Sequence, residues 1–492
     1  MLESIRQMLK AFDENNIIYC HWKSNEHLEE ALNGETDLDV LFLPEQRCLL
    51  DHVLSGLGLK RFRDVPLMQY NAIEDYIGFD VETAKIWHLH THYRMTFGEK
   101  HLKGYTTNWQ NAILERRMRD KTGIFCSSIE DEYFLLLIRI AMKRRKRDFG
   151  KKLGSDDTIE LVWLRERANR EKVFDVAKQF LGAACAAEID KLLQVDLHKK
   201  SQFSTLHKKG KKALKPYKGY SSWGSTYMRT RREIFWLVGG LKRRLGVSIN
   251  SPSRRVSPSG GAVVAFLGCD GAGKSTTLAY VKKEFKKKLD VKAEYLGSGD
   301  GSSSLLRKPM KLIAKKVGGK GVGHSVDKEL DSNKESKKKI SLKVRLYSFA
   351  KVVWAVTLAK EKKTKLHKIS KARNSGMLVL IDRYPQTEIA GYSDGPLLSR
   401  YIENKGLYGI AARYEQRIYE SAYTNAPDLF LKLMVPTEVA IARKPEMTVD
   451  EIDNKKVAVR AMYSNCHCVE IDTSRDKSIT FGEAMDAIWQ VI

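Results

Sequence analysis

Eight consecutive residues, Gly268-Cys-Asp-Gly-Ala-Gly-Lys-Ser275, constrain this chain more than any other stretch. They satisfy G-x-x-x-x-G-K-[ST], and they lie between an apolar run, Ala262 to Leu267, and a helical one from Thr276 to Leu289. Strand, turn and helix signals therefore agree. A glycine-rich turn at a helix N-terminus points backbone N–H groups at an anion, which makes a cradle for phosphates. Gly268, Gly271 and Gly273 shape the turn around Asp270, Lys274 can reach the outer phosphates, and Ser275, with Thr276 beside it, offers a hydroxyl to Mg²⁺. The expectation is an α/β fold that binds ATP with Mg²⁺.

At 492 residues the chain exceeds what a single core organises, so several domains are expected. Lys+Arg 86 against Asp+Glu 60 gives a net charge of +26, which favours polyanionic partners: nucleotides, nucleic acid, acidic glycans or an anionic membrane surface. Charge alone does not choose among them. The seven cysteines are odd in number and scattered, which suits a reducing cytoplasm. Met1 to Lys10 lacks the charged start and apolar core of a secretory signal. The longest apolar stretches, Phe134 to Met142 and Phe349 to Ala359, contain Arg139 and Lys351 and fall well short of the roughly 20 residues of a membrane span. A cytoplasmic protein is expected, with peripheral membrane association left open.

Composition divides the chain into three parts. Residues 1–195 mix strand-like runs (Ile17 to Cys20, Leu38 to Leu43, Ile77 to Val81) with helical ones, as an α+β domain does. Residues 196–260 are basic and punctuated by Ser and Pro, and read as a linker. One helix is expected there, Arg229 to Leu245, which sets Ile234, Phe235, Leu237, Val238 and Leu241 among basic residues. Packing on its own protein and contact with a membrane or nucleic acid are both open for it. Residues 261–492 alternate strands and helices, which implies a parallel sheet covered on both faces. Gly318 to Lys339 reads as a mobile surface loop in a long basic insert, 307–340.

Further motifs narrow the chemistry of the C-terminal part. Met377-Leu-Val-Leu-Ile381 is a buried-strand signal that delivers Asp382-Arg383-Tyr384 to its carboxyl end, where open α/β sheets bind ligands. A carboxylate there can hold Mg²⁺ or accept a proton, and a guanidinium can grip an acceptor phosphate. Pro427-Asp-Leu-Phe-Leu-Lys-Leu-Met434 is another strand, followed by Val435-Pro-Thr-Glu-Val-Ala-Ile-Ala-Arg443-Lys444. This ordered set, over about the last 230 residues, resembles the thymidylate kinase family. The resemblance implies phosphoryl transfer from ATP, with Lys274 on the transferring phosphates, Ser275 and Asp382 at the Mg²⁺, Asp270 toward the acceptor, Arg383 on the acceptor phosphate and Arg443 as the first candidate for a lid arginine. Lys444, Lys455 and Arg460 are further candidates for that positive charge.

Two departures stand out. Where some members of that family carry an arginine inside the phosphate loop, this chain has Gly271. Where thymidylate kinases show an arginine before Glu-Pro-Gly, it has Glu294-Tyr-Leu-Gly-Ser-Gly-Asp-Gly-Ser302. The acceptor, a nucleoside monophosphate of the dTMP type or another phosphorylated small molecule, therefore stays open, as does a homodimer. A kinase acting on a sugar, glycan or lipid-linked saccharide is the first alternative, and an ATP-switched nucleic-acid-binding protein the second. No stacking-aromatic motif for nucleic acid stands out, which disfavours the second.

In the N-terminal part, Gly34-Glu-Thr-Asp37-Leu-Asp39-Val-Leu-Phe42 places two carboxylates on one face of a strand. Asp80, in Gly78-Phe-Asp-Val-Glu82, is the expected third ligand of a metal pair. The pattern resembles the nucleotidyltransferase-fold superfamily, although Lys23-Ser24 or Gly34-Glu35 replaces the usual Gly-Ser. His88, His90 and His92, spaced by two, are weaker candidates for the same site. Cys466-His-Cys468 offers two metal ligands at best and reads as packing.

Overall fold

Strands and helices that alternate along the C-terminal sequence assemble into one parallel sheet, because each helical crossover returns the chain to the end of the sheet where the preceding strand began. The computed structural model describes residues 1–70, 72–148, 150–245, 252–297, 342–389 and 394–492. It divides into two compact units, Met1–Pro258 and Ser259–Ile492. The expected surface loop at 318–339, and the insert around it, lie outside the described residues.

In the first unit, strands β1 (Tyr19–His21), β2 (Leu38–Phe42), β3 (Lys60–Phe62), β4 (Ile73–Asp80), β5 (Lys85–His92), β8 (Met118–Arg119) and β9 (Phe125–Cys126) form a mixed sheet of order β3-β4-β5-β2-β1-β9-β8. A separate hairpin pairs β6 (Met95–Phe97) with β7 (Tyr105–Thr107). One face of the mixed sheet is buried by the helix Glu3–Glu14 through Ile5, Met8 and Phe12. The helix Ile129–Lys143 is buried nearly all round beyond its acidic first turn, as a central core helix should be, and packs among Leu161, Leu164, Val173, Ile189 and Leu206. Its N-terminus is capped by Ser128, whose hydroxyl accepts from the Asp131 amide.

Of the residues expected as a linker, 196–260, the described ones at 196–245 and 252–258 belong to the first unit. They contain the helices Ser204–Ala213 and Ser222–Arg244, the second starting seven residues before the expected one. Arg232 anchors the longer helix: its guanidinium donates to the carbonyls of Leu67, Gln69, His101 and Leu102 and is buried. Arg229 pairs with Glu99 on the same side. Trp223, Tyr227, Ile234, Leu237, Val238 and Leu241 fall within about 60° of Ile234 on the opposite side. All six are between 44% and 89% exposed, so the helix does pack on its own protein, but through its basic face.

In the second unit, β10 (Val263–Gly268), β11 (Val291–Tyr295), β12 (Leu378–Asp382), β13 (Leu429–Met434) and β14 (Cys468–Asp472) form an all-parallel sheet of order β11-β12-β10-β13-β14. Val263 to Leu267 and Leu378 to Ile381 are buried throughout, as expected for strands covered on both faces. The helices Lys274–Lys288, Leu342–Asn374, Leu407–Thr424, Val449–Ala461 and Lys477–Val491 follow successive strands. The glycine-rich turn thus leaves the central strand of an all-parallel sheet. All seven cysteines are free thiols. Among the described residues no helix is long and apolar enough to cross a membrane.

Candidate functional site

The β10–β12 ladder pairs Phe266 with Asp382, so the two strands end side by side, with the glycine-rich turn leaving one and Asp382-Arg383-Tyr384 leaving the other. On the other side of β10, Gly268 pairs with Leu433 of β13. The site thus lies at the carboxyl edge of the sheet, where the strand order reverses across β10.

Gly273 adopts a left-handed conformation and starts the helix Lys274–Lys288, which puts Ser275 and Thr276 on its first turn, both exposed. Lys274 is buried, and its ammonium donates to the carbonyls of Gly268 (2.9 Å) and Cys269 (2.8 Å). Burial and the nearby Arg383 push its pKa down, while Asp270 and Asp382 oppose them.

Asp270 is the electrostatic centre of the loop. Its carboxylate accepts from Lys455 at 2.6 Å and from Arg383 at 3.2 Å. Burial works to raise its pKa, but Lys455, Lys274 and Arg383 outweigh that effect and hold it below the usual carboxylate range. Asp382 goes the other way: burial pushes its carboxyl up against the pull of Lys274 and Arg383. Its Oδ1 is buried with no hydrogen-bond partner among the described residues. Arg383 sits at φ +63°, a strained conformation for a non-glycine residue, and also approaches Asp394 at 3.6 Å. Tyr384 points away into the core and donates to the carbonyls of Ala422 and Asn425.

Lys274, Asp270, Asp382 and Arg383 are therefore brought together at the carboxyl end of the sheet. Arg443 reaches the loop from the end of the helix Thr437–Arg443, but its guanidinium donates to the backbone carbonyls of Gly271 (3.1 Å) and Thr473 (2.9 Å). Among the four candidate cations, Lys455 is the one seated on Asp270, while Lys444 pairs with Glu446 and Arg460 lies 4.0 Å from Glu470. Lys455 ranked low in the sequence because 185 residues separate it from Asp270 and no local motif marks it. Gly271 is at φ +84°, and a Cβ there would meet the Ala440 carbonyl oxygen at 2.8 Å, so the loop has no room for an arginine.

In the first unit the expected trio Asp37, Asp39 and Asp80 is not formed. Parallel pairing of β2 with β5 sets Asp39 beside His90, and antiparallel pairing of β5 with β4 sets His90 beside Asp75 and Asp80 beside Lys85. Asp80 is thus five residues, about 16 Å, along β4 from the residue facing His90. It caps instead, accepting from the Ser4 amide and hydroxyl and from Thr83. Glu82 is exposed in the β4–β5 turn. The groups that converge on the aspartates are histidines: His88 lies 3.0 Å from Asp37 and 2.8 Å from Asp75, and His90 and His92 both face Asp39. Period-two spacing marked these three residues, but it could not reveal which carboxylates they would meet.

No family model matches this chain. It is 28% identical over 230 residues to the uncharacterized ATP-binding protein YghR of Escherichia coli K12, covering 46% of this chain and 86% of YghR. It is 24% identical over 212 residues to the uncharacterized ATP-binding protein YghS of the same strain, covering 43% of this chain and 85% of YghS. Among solved structures it is similar to thymidylate kinase of Ehrlichia chaffeensis, with 14% identity, 46% of this chain and 98% of that chain covered, and a TM-score of 0.26. It is also similar to thymidylate kinase of Candida albicans, with 13% identity, 47% and 92% covered, and a TM-score of 0.27.

Proposed function

We propose that the unit Ser259–Ile492 is an ATP-dependent phosphotransferase that acts on a nucleoside monophosphate of the dTMP type. The observation that carries this reading is the meeting of Lys274 and Asp270 from the phosphate loop with Asp382 and Arg383 from the neighbouring strand end. Phosphoryl transfer asks chiefly for positioning and for neutralisation of the charge that spreads over phosphate oxygens. Lys274, freed from the loop carbonyls, serves the transferring phosphates, and Arg383 offers donors to the acceptor phosphate. Asp270 orients the acceptor and fixes Lys455 and Arg383 on either side of it. Oxygen donors suit Mg²⁺, and the unpartnered Asp382 Oδ1 together with the Ser275 hydroxyl are the groups that would hold it. Bound there, Mg²⁺ supplies neutralisation of phosphate charge. The description of the relatives YghR and YghS as ATP-binding supports the donor.

The test is ADP release from Mg·ATP with a panel of nucleoside monophosphates, dTMP first, comparing the intact protein with Lys274→Ala. Acceptor-dependent turnover that disappears in the variant is expected; ATP binding without turnover on any nucleotide overturns the nucleotide acceptor.

One observation favours a second reading, in which the acceptor is a membrane-associated saccharide. The helix Ser222–Arg244 presents an exposed apolar stripe flanked by the exposed Arg231, Lys242 and Arg244, the arrangement of a helix that lies in an anionic lipid interface. On this reading the protein floats with phosphatidylglycerol vesicles and not with phosphatidylcholine ones, and Leu237→Asp with Leu241→Asp abolishes flotation. Equal behaviour with both vesicles removes it.

A further inference from the structure

We infer that Asp39, His90 and His92 form a binding site for a divalent transition-metal ion of the zinc type. It lies in the unit Met1–Pro258 and does not depend on the phosphotransferase reading.

The inference starts from register. β2 and β5 run parallel with Asp39 opposite His90 and Leu41 opposite His92, so two imidazoles two residues apart project from one face of β5 toward one carboxylate on β2. His90 Nδ1 lies 2.8 Å from Asp39 Oδ1, His92 Nε2 lies 3.3 Å from the same oxygen, and the two ring nitrogens are 3.3 Å apart. Ligands about 2.0–2.1 Å from a tetrahedral zinc ion are separated by about 3.3–3.4 Å. Two of the three edges have that length, and the third reaches it by opening about 0.5 Å.

The same atoms make a crowded network without an ion. Asp39 Oδ1 faces His90, His92 and, at 2.8 Å, the ammonium of Lys23, so three donors would converge on one oxygen while two ring nitrogens face each other. A dication between the rings uses their lone pairs and leaves Lys23 as the neighbouring charge it displaces. His92 is held edge-on by the Trp22 ring at 5.1 Å, which fixes the imidazole orientation.

Imidazole nitrogen selects zinc and its first-row neighbours over Mg²⁺, which prefers oxygen. Three protein ligands also leave at least one coordination position open. His90 lines a cavity of about 500 Å³, which gives an ion an entry path. That cavity carries five basic side chains, Arg47, Arg61, Arg63, Lys103 and Arg255, against the acidic Asp64, Glu74 and Asp75.

The test is titration of chelator-treated, full-length protein with Co²⁺, read by visible ligand-field absorption. One equivalent is expected, displaced by Zn²⁺ and unaffected by millimolar Mg²⁺. His90→Ala and His92→Ala should each weaken binding by more than about 100-fold, beyond the loss of an outer partner alone. Lys23→Met should strengthen it, which a hydrogen-bond network has no reason to do. Absence of the band, persistence of it in both histidine variants, or its replacement by thiolate charge-transfer bands that vanish in Cys466→Ser would each overturn the site. Should an alanine variant not fold, Asp39→Asn takes its place, and full Co²⁺ affinity in folded Asp39→Asn refutes the proposal.

Discussion

Gly271 and Gly273 are two residues apart in the phosphate loop and both have positive φ, +84° and +78°, yet they should respond very differently to a methyl group. A Cβ in the left-handed region costs about 1–2 kcal/mol at either position. At Gly273 nothing lies within 4 Å of the new atom, so that is the whole effect. At Gly271 the methyl meets the Ala440 carbonyl oxygen at 2.8 Å and its Cα at 3.2 Å, and the helix Thr437–Arg443 must move, adding about 1–3 kcal/mol of overpacking. Gly273→Ala should therefore lose about 1–2 kcal/mol and Gly271→Ala about 2–5 kcal/mol. For a unit of this size each kcal/mol lowers Tm by about 2–4 °C. Scanning calorimetry of the full chain reads this directly, since the transition that ATP shifts upward reports the unit Ser259–Ile492. Equal shifts for the two variants, or a larger one for Gly273→Ala, would refute the argument that Ala440 keeps position 271 a glycine and moves the site's positive charge elsewhere.

Lys455→Met should lower kcat at least about 10-fold because it removes the closer of the two cations on Asp270 and leaves Arg383 alone there, whereas Arg443→Met should act mainly on loop stability, its guanidinium being committed to two carbonyls; steady-state kinetics with Tm for both variants separates the roles. Burial raises Glu132 from 4.5 to about 8, with Glu160 and Glu26 adding to it and Asn25 opposing. The folded pKa is above the unfolded one, so the stability contributed by its bound proton is complete below about pH 4.5 and is lost as pH rises through about 8; Tm against pH should fall across that window, and Glu132→Gln should flatten the slope. Tyr384→Phe removes the donor to Ala422 and Asn425 and should cost about 1–2 kcal/mol of stability while leaving the KM for ATP unchanged, a change in KM being the contrary result.

The parallel sheet was legible in the sequence because strands buried on both faces read as short continuous apolar runs: Val263–Gly268 and Leu378–Asp382 begin and end within a residue of where those runs do, and Leu429–Met434 starts two residues inside its run. Residues 196–245 differ from what their composition implies for a related reason. Basic, Ser- and Pro-punctuated sequence resembles a tether, but Arg232 satisfies its guanidinium on four backbone carbonyls contributed by residues more than a hundred positions away. Composition cannot anticipate such a contact.

What the sequence determined by itself is the local arrangement: a glycine-rich turn whose amides, lysine and hydroxyl are fixed by contiguous spacing, and an Asp-Arg pair fixed by its place at the end of a buried strand. Contiguous residues share one turn or one strand end, so their relation survives without knowledge of the rest of the fold. Tertiary structure alone decided which distant groups complete each site. It chose Lys455 for Asp270, closed position 271 with Ala440, and replaced Asp80 by histidines beside Asp39, because strand register sets neighbours across a ladder and a hairpin carries Asp80 to the far end of its strand.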